Sequence, residues 1–174
     1  MNQGPHLPET PATAFLRQHA VVFTPHVYEY VDHGGTASSS SALGVEEHAV
    51  VKTLVMEDEA GLPLIVLMHG DWTVSTKQLA RRLGVKRIHP CTPGTAERHS
   101  GFQVGGTSPF GLRKAMPVYV EKSILELPRI HINGGRRGFL VGMDPRELLR
   151  VLQAVPVEAG RPKNSGKTPL RRAS

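Results

Sequence analysis

What these 174 residues lack narrows the field first. There is a single cysteine, Cys91, which excludes an intramolecular disulfide and any Cys-rich zinc site. A reducing, cytoplasmic setting is expected. The longest aliphatic or Met run is the five residues Leu64–Met68, far short of the ~20 that a membrane-spanning helix needs. The opening MNQGPHLPET has neither a basic segment nor an apolar stretch, so no secretory signal and no membrane partner are expected. The nine histidines include no H-x3-H pair, and Glu46-Glu47-His48 lacks the rest of any zincin pattern. No metal and no other cofactor is expected. There is no internal repeat.

Two near-motifs fail on spacing. Gly160 and Gly166-Lys167-Thr168 are separated by five residues, where a phosphate-binding P-loop has four and a strand before it. Gly106–Gly111 is one residue longer than a nucleophile elbow, and Pro109 has no N–H to give to an oxyanion hole.

The net charge of +6 is unevenly placed. Five of the 21 Lys/Arg and one of the 15 Asp/Glu fall in the last 17 residues, which carry four of the six positive charges. The plainer expectation is a solubilising, flexible basic tail over 158–174; the alternative is a polyanion contact through counterion release. Residues 1–9 are Pro- and polar-rich and are expected to be disordered. One folded domain is left, over 10–157.

Within it, Thr10-Pro11 reads as the N-cap and first position of a helix. Val21–Tyr30 reads as a strand interrupted by Pro25. The polar cluster Thr36–Ser41 precedes a short Ala-Leu helix ending at Gly44. Ala49–Met56 and Leu62–His69 form a hairpin. Ser75 and Gln78 make a capping box for a helix that stops at Gly84. Val85–His89 is a short strand, Thr92-Pro93 opens a helix, and Arg129–Ile132 is a strand. Asp144 and Glu147 suggest a second capping box. Helices and strands do not alternate strictly and hairpins are present, which argues a single α+β domain with a mixed sheet.

Three segments carry candidate chemistry. In Ala49–Met56, alternation places Val50, Lys52, Leu54 and Met56 on one face and Val51, Thr53 and Val55 on the other. Lys52 is then either a charge held for a phosphate or a polarised carbonyl, or an edge lysine that snorkels to water. Val104–Gly111 combines adjacent glycines, two hydroxyls and a proline; Ile132–Gly138 places Asn133, Gly134 and Gly135 after a strand and two arginines after them. Each is either a plain turn or a loop of backbone N–H donors around an anionic or carbonyl ligand.

With V-K-T-L at Val51–Leu54, S-G-F-x-V-G-G-T-S-P-F-G at Ser100–Gly111 and N-G-G-R-R-G at Asn133–Gly138, in that order, the chain resembles the YbaK/EbsC family. That family includes the editing domain of bacterial prolyl-tRNA synthetases and free-standing relatives. The likeness runs from about Thr10 to Ala154, and T-P-A at Thr10–Ala12 and H-x-Y at His26–Tyr28 fit it as well. It implies a curved, mostly antiparallel mixed sheet flanked by helices. The implied activity is trans-editing: hydrolysis of the ester of a mischarged tRNA bearing Ala, Ser, Thr or Cys, with tRNA for proline among the carriers.

Carried over by position, the resemblance assigns Lys52 as the functional lysine. Gly105, Gly106, Thr107 and Ser108 become the oxyanion loop. Tyr28, Thr53, Pro109, Asn133, Gly134 and Gly135 become substrate-binding residues. Asn133 stands where cysteine-specific relatives usually have serine, and Phe139-Leu140 where they often carry Leu-Asp, so the resemblance does not imply cysteine specificity. The implied partner is aminoacyl-tRNA, with prolyl-tRNA synthetase as a further candidate. A module that binds aminoacyl-tRNA or a small anion without hydrolysis, and an adaptor of the synthetase, are the alternatives.

Overall fold

The computed structural model describes residues 7–163. The expectations for residues 1–6 and for 164–174 lie outside the described residues.

The first helix, α1 (Pro11–Gln18), begins as its sequence dictates: Thr10 Oγ1 accepts from the Thr13 N–H at 3.0 Å, and Thr13 Oγ1 accepts from the Thr10 N–H at 2.9 Å. Strand β1 (Thr24–Val27) is shorter than the expected Val21–Tyr30. It is an edge strand, where Pro25 is tolerated because one side of the backbone needs no ladder bond. Helix α2 (Gly35–Leu43) takes in the serine cluster that was expected to precede it. Ser39 and Ser40 donate their hydroxyls to the carbonyls of Thr36 and Ala37, which lets both be buried inside a helix.

A 3-10 turn at Glu47–Ala49 leads into β2 (Val50–Asp58), which turns back as β3 (Pro63–His69). The register pairs Lys52 with Met68 and Val55 with Ile65, so the expected hairpin is present. Strand β4 (Trp72–Val74) follows, then α3 (Thr76–Leu83), capped by Ser75 and closed by Gly84 at φ 70°. Strand β5 (Ile88–Pro90) lies a little later than the expected Val85–His89. Helix α4 (Pro93–Ser100) ends the first half.

The second half holds β6 (Val118–Glu121), β7 (Ile130–Arg136), β8 (Phe139–Met143), α5 (Glu147–Leu152), β9 (Val155–Val157) and β10 (Gly160–Pro162). Strand β8 is buried at every position, so it carries no alternation to read. The second capping box does not form. The N-cap of α5 is Arg146, and Asp144 instead accepts from the Arg146 N–H at 2.9 Å and pairs with its guanidinium.

The large sheet runs β1-β8-β7-β2-β3-β6-β9, with β5 also on β2. Antiparallel pairs outnumber parallel ones, the latter being β2/β7, β3/β6 and β6/β9. The fold is α+β. Alternation along the central hairpin separates two cores. Val51, Val55, Ile65 and Leu67 face the side closed by α1 and α5; Met56, Leu64 and Val66 face α3. A one-residue slip would exchange them, so the register is tightly specified.

The boundary expected at residue 157 falls inside folded structure. Strand β10 pairs antiparallel with β4, and Ala159 is fully buried. Buried Glu121 accepts from the N–H groups of Ala159 and Gly160, both at 2.8 Å. Glu158–Lys163 therefore belong to the domain. None of the described helices is long and apolar enough to cross a membrane.

The sheet has one break that matters for function. Strand β7 pairs with β2 only at Val50 and Val51, and β5 pairs with it only at Met56–Asp58. Between them the stretch Lys52–Val55 has β3 on one edge and no strand on the other.

Candidate active site

A cavity of about 380 Å³ fills this split, walled by Val50–Met56 along β2. It receives Tyr28, Lys52, Thr53, Gly105, Thr107 and Asn133. Three distant segments thus meet at one place. The other nominated residues do not line it. Ser108 is fully buried with Oγ accepting from the Phe110 N–H at 3.2 Å, and Pro109 is buried beside it. These two anchor the loop into the core.

Gly106 and Gly134 serve the loops through close approach. A Cβ on Gly106 would lie 2.8 Å from the Arg137 nitrogen, and one on Gly134 would lie 2.4 Å from the Phe139 ring. Gly105 and Gly135 have φ of 89° and 97°, a conformation that L side chains rarely adopt. Backbone donors are the important product. The Gly106 N–H is engaged by the Gln103 carbonyl at 2.8 Å and the Gly135 N–H by Asn133 Oδ1 at 2.7 Å. These two N–H groups, expected to face a developing oxyanion, are occupied. Among the described residues nothing accepts from the N–H groups of Gly105, Thr107 and Ser108.

Asn133, Gly134 and Gly135, expected as a loop after a strand, form the irregular end of β7, and Asn133 joins it to the loop at Gly105. Its Nδ2 donates to the Gly105 carbonyl at 3.2 Å and lies 3.3 Å from the Arg136 carbonyl; its Oδ1 accepts from Gly135 and Arg136 N–H. Arg137 makes a second tie: its Nε donates to the Val104 carbonyl at 2.9 Å and its guanidinium lies 5.0 Å from the Tyr30 ring centre.

Among the described residues Lys52 Nζ reaches only the Gly70 carbonyl, at 3.4 Å. Burial lowers its pKa, the nearby Lys163 adds to this, and Glu47 and Asp71 partly oppose it. A half-buried ammonium with one weak acceptor is available to an anionic or carbonyl oxygen. The Gly70 turn is braced from behind. His48 Nδ1 contacts Asp71 Oδ1 at 2.8 Å, and the His48 and His69 rings stack at 3.7 Å. His69 Nδ1 must donate to the His48 carbonyl, at 2.7 Å, which leaves Nε2 to accept from Ser123 Oγ. Burial lowers the His69 pKa and suits this neutral tautomer.

Thr53 Oγ1 is buried without a hydrogen-bond partner among the described residues. Burial, aided by Tyr30, raises the Tyr28 pKa, while hydrogen bonds from Gly138 and Ser39 oppose the shift. Cys91 lies in the cavity wall, but burial and the Glu57 carboxylate push its thiol up to about 12, so it is no thiolate nucleophile. No Asp, Glu or His is among the described residues that line the cavity.

Residues 34–151 match the family described as the aminoacyl-tRNA editing domain. The chain belongs to the aminoacyl-tRNA editing domain family. EbsC of Enterococcus faecalis, provisionally named a Cys-tRNA(Pro)/Cys-tRNA(Cys) deacylase, is 27% identical over 142 residues, 81% of this chain and 87% of EbsC. YwhH of Bacillus subtilis, an uncharacterized protein, is 24% identical over 110 residues, covering 63% of this chain and 69% of YwhH. Among solved structures, hypothetical protein APE2540 superposes with a TM-score of 0.81 at 23% identity, covering 87% of this chain and all of that one. A protein provisionally described as a trans-editing enzyme for prolyl-tRNA synthetase gives 0.76 at 22% identity, covering 88% and 99%. Both share the fold of this editing domain.

Sequence reasoning about this editing domain misses Tyr30, Ser39, Cys91 and Arg137 around the cavity. Arg137 had a signal, an arginine directly after the glycine loop. Tyr30 had a weaker one, two residues after Tyr28 on the same side of an extended chain. Ser39 had none, and nothing in the sequence placed Cys91 at the cavity.

Proposed function

We propose that this protein is an aminoacyl-tRNA deacylase that hydrolyses the ester of mischarged tRNA. The amino acid removed is Ala, Ser, Thr or Cys, and tRNA for proline is among its carriers. The observation that carries this is the meeting at one cavity of Lys52 with Gly105 and Thr107, whose N–H groups have no acceptor among the described residues.

An aminoacyl ester is already activated, so positioning and charge stabilisation are enough to accelerate its hydrolysis. In this proposal the carbonyl oxygen, as it becomes an oxyanion, takes hydrogen bonds from the Gly105 and Thr107 N–H groups. Lys52 holds the terminal phosphate or polarises the carbonyl. Tyr28, Thr53 and Asn133 border the amino-acid side. With no Asp, Glu or His among the described lining residues, the attacking water is activated from the substrate, through the terminal ribose 2′-OH. The amino acid's own thiol or hydroxyl, where it has one, can serve instead as the nucleophile.

The test is a deacylation panel of Ala-, Ser-, Thr-, Cys- and Pro-charged tRNA. We expect one or two mischarged species to be hydrolysed and Pro-tRNA to be spared. Lys52→Ala is expected to lower the rate by at least the ~10²-fold that loss of an oxyanion donor costs elsewhere. Binding of charged tRNA without turnover would replace the enzyme with a binding module. Full activity in Lys52→Ala would remove Lys52 from the mechanism.

A further inference from the structure

Beside the cavity lies a second cluster of chemistry-bearing side chains. Glu57 of β2 sits directly opposite His89 of β5 in the antiparallel register, so both side chains leave the same face. Cys91, two residues after His89, shares that face. Helix α4 packs against β2 and brings His99 to the same point.

The ligating atoms converge. One carboxylate oxygen of Glu57 is 4.0 Å from His89 Nε2 and the other is 4.0 Å from His99 Nε2. Those of Glu57, Cys91 and His99 all lie within 4.8 Å of one another. A tetrahedral zinc ion with bonds of about 2.0–2.3 Å holds its ligands ~3.3–3.8 Å apart, so Glu57, Cys91 and His99 close with shifts of about 1 Å, and His89, held 4.0 Å from Glu57 but outside that group of three, swings in as the fourth.

The hydrogen-bond pattern separates this cluster from the molecule's other triad. His48, His69 and Asp71 also gather potential ligands, yet both His69 nitrogens and His48 Nδ1 are engaged by protein groups. Glu57 lies 4.0 Å from both His89 Nε2 and His99 Nε2 and is hydrogen-bonded by the Cys91 thiol, so its recorded contacts stay within the cluster and turn toward a common centre.

We infer that Glu57, His89, Cys91 and His99 form a binding site for a divalent, borderline-soft cation of the zinc type. Coordination exchanges the Cys91 S–H bond for a sulfur–metal bond, and the proton leaves to solvent. Four protein ligands fill a tetrahedral shell, so the role is structural. The ion ties β5 and α4 to β2 and fixes the cavity wall that contains Cys91 and Pro93. The site is independent of the deacylase proposal. Its sequence signal is His89-x-Cys91, a spacing that a search for H-x3-H or zincin patterns passes over.

The test titrates the full-length, metal-stripped protein with Zn²⁺ and with Co²⁺ as a spectroscopic stand-in. We expect one Zn²⁺ per chain, and for Co²⁺ tetrahedral d–d bands with a thiolate charge-transfer band. Cys91→Ser should abolish that band. His89→Asn, at an exposed position tolerant of substitution, should weaken Zn²⁺ by more than the roughly 10–100-fold that losing an outer partner costs. His48→Asn should leave both signals intact. The inference is overturned by a folded chain that takes up no stoichiometric Zn²⁺, by Co²⁺ binding without the thiolate band, or by binding that survives His89→Asn.

Discussion

Asn133→Ala is the substitution with the widest reach. The wild-type amide makes four short contacts: to the carbonyls of Gly105 and Arg136 and from the N–H groups of Gly135 and Arg136. Net contributions of ~0.5–1.5 kcal/mol each would bracket a loss of about 2–6 kcal/mol. Asn133 is half-buried and the exposed Arg136 backbone rehydrates freely, which selects the lower end, about 2–3 kcal/mol. With a urea m-value of about 2 kcal/mol/M, the unfolding midpoint should fall by roughly 1–1.5 M. The consequence for catalysis is larger than the loss of stability suggests. Asn133 ties the Gly105 carbonyl, and in the proposed mechanism that tie positions the Gly105 and Thr107 N–H groups, so single-turnover deacylation should fall about 10²-fold. The KM for charged tRNA should change little. Urea denaturation with intrinsic Trp72 fluorescence and rapid-quench hydrolysis measure both. Wild-type stability with a raised KM would refute the clamp and make Asn133 a direct substrate contact. Unchanged values of both would mean that Arg137 alone holds the loops.

Other outcomes are expected on separate grounds. Thr53→Val removes a buried hydroxyl that has no partner among the described residues; stability should hold or rise by up to about 1 kcal/mol, while affinity for charged tRNA falls, and a stability loss above that size would show a hidden partner. Burial, with help from His26 and Arg129, lowers the His131 pKa. Below the ordinary value of 6.5 the unfolded imidazole takes a proton that the folded one resists, so stability should fall as pH drops through that value. His131→Leu should flatten this slope in urea titrations at pH 7 and 5, and an unchanged slope would exclude His131. Glu121→Ala strands the Ala159 and Gly160 N–H groups and should cost about 2–4 kcal/mol. Hydrogen exchange should then be fast at those two amides, and retained protection there would refute the anchoring role.

The sequence reveals parts of this protein wherever a local rule is sufficient. Thr10-Pro11, Ser75 and Gly84 mark helix ends because caps are local chemistry. The β2/β3 hairpin is legible because two apolar runs flank a short polar turn. Strand β8 is not, since burial on both faces erases alternation. Asp144 looks like a cap, yet its carboxylate is drawn to its neighbour Arg146. At the site, Lys52 stands out because charge is rare within an apolar strand. The glycine motifs indicate loops but not which amides stay free, because that depends on Gln103 and Asn133. The convergence of β5 and α4 on Glu57 is purely tertiary, and no window of sequence contains it.

The break in the sheet along Lys52–Val55 has a consequence for how this site responds to mutagenesis. Part of its wall is strand edge and loop backbone: Lys52–Val55, where no strand pairs on one side, and the segment that carries Gly105 and Thr107. Every amino acid except proline supplies the same main-chain groups, so alanine scanning passes over them and under-reports the site. Proline, which deletes an N–H, and ester-for-amide replacement, which deletes it without moving the side chain, are the substitutions that would map it. Conversely, in the proposed reaction, changes in side-chain size here would alter which amino acid fits while the main-chain donors stay constant.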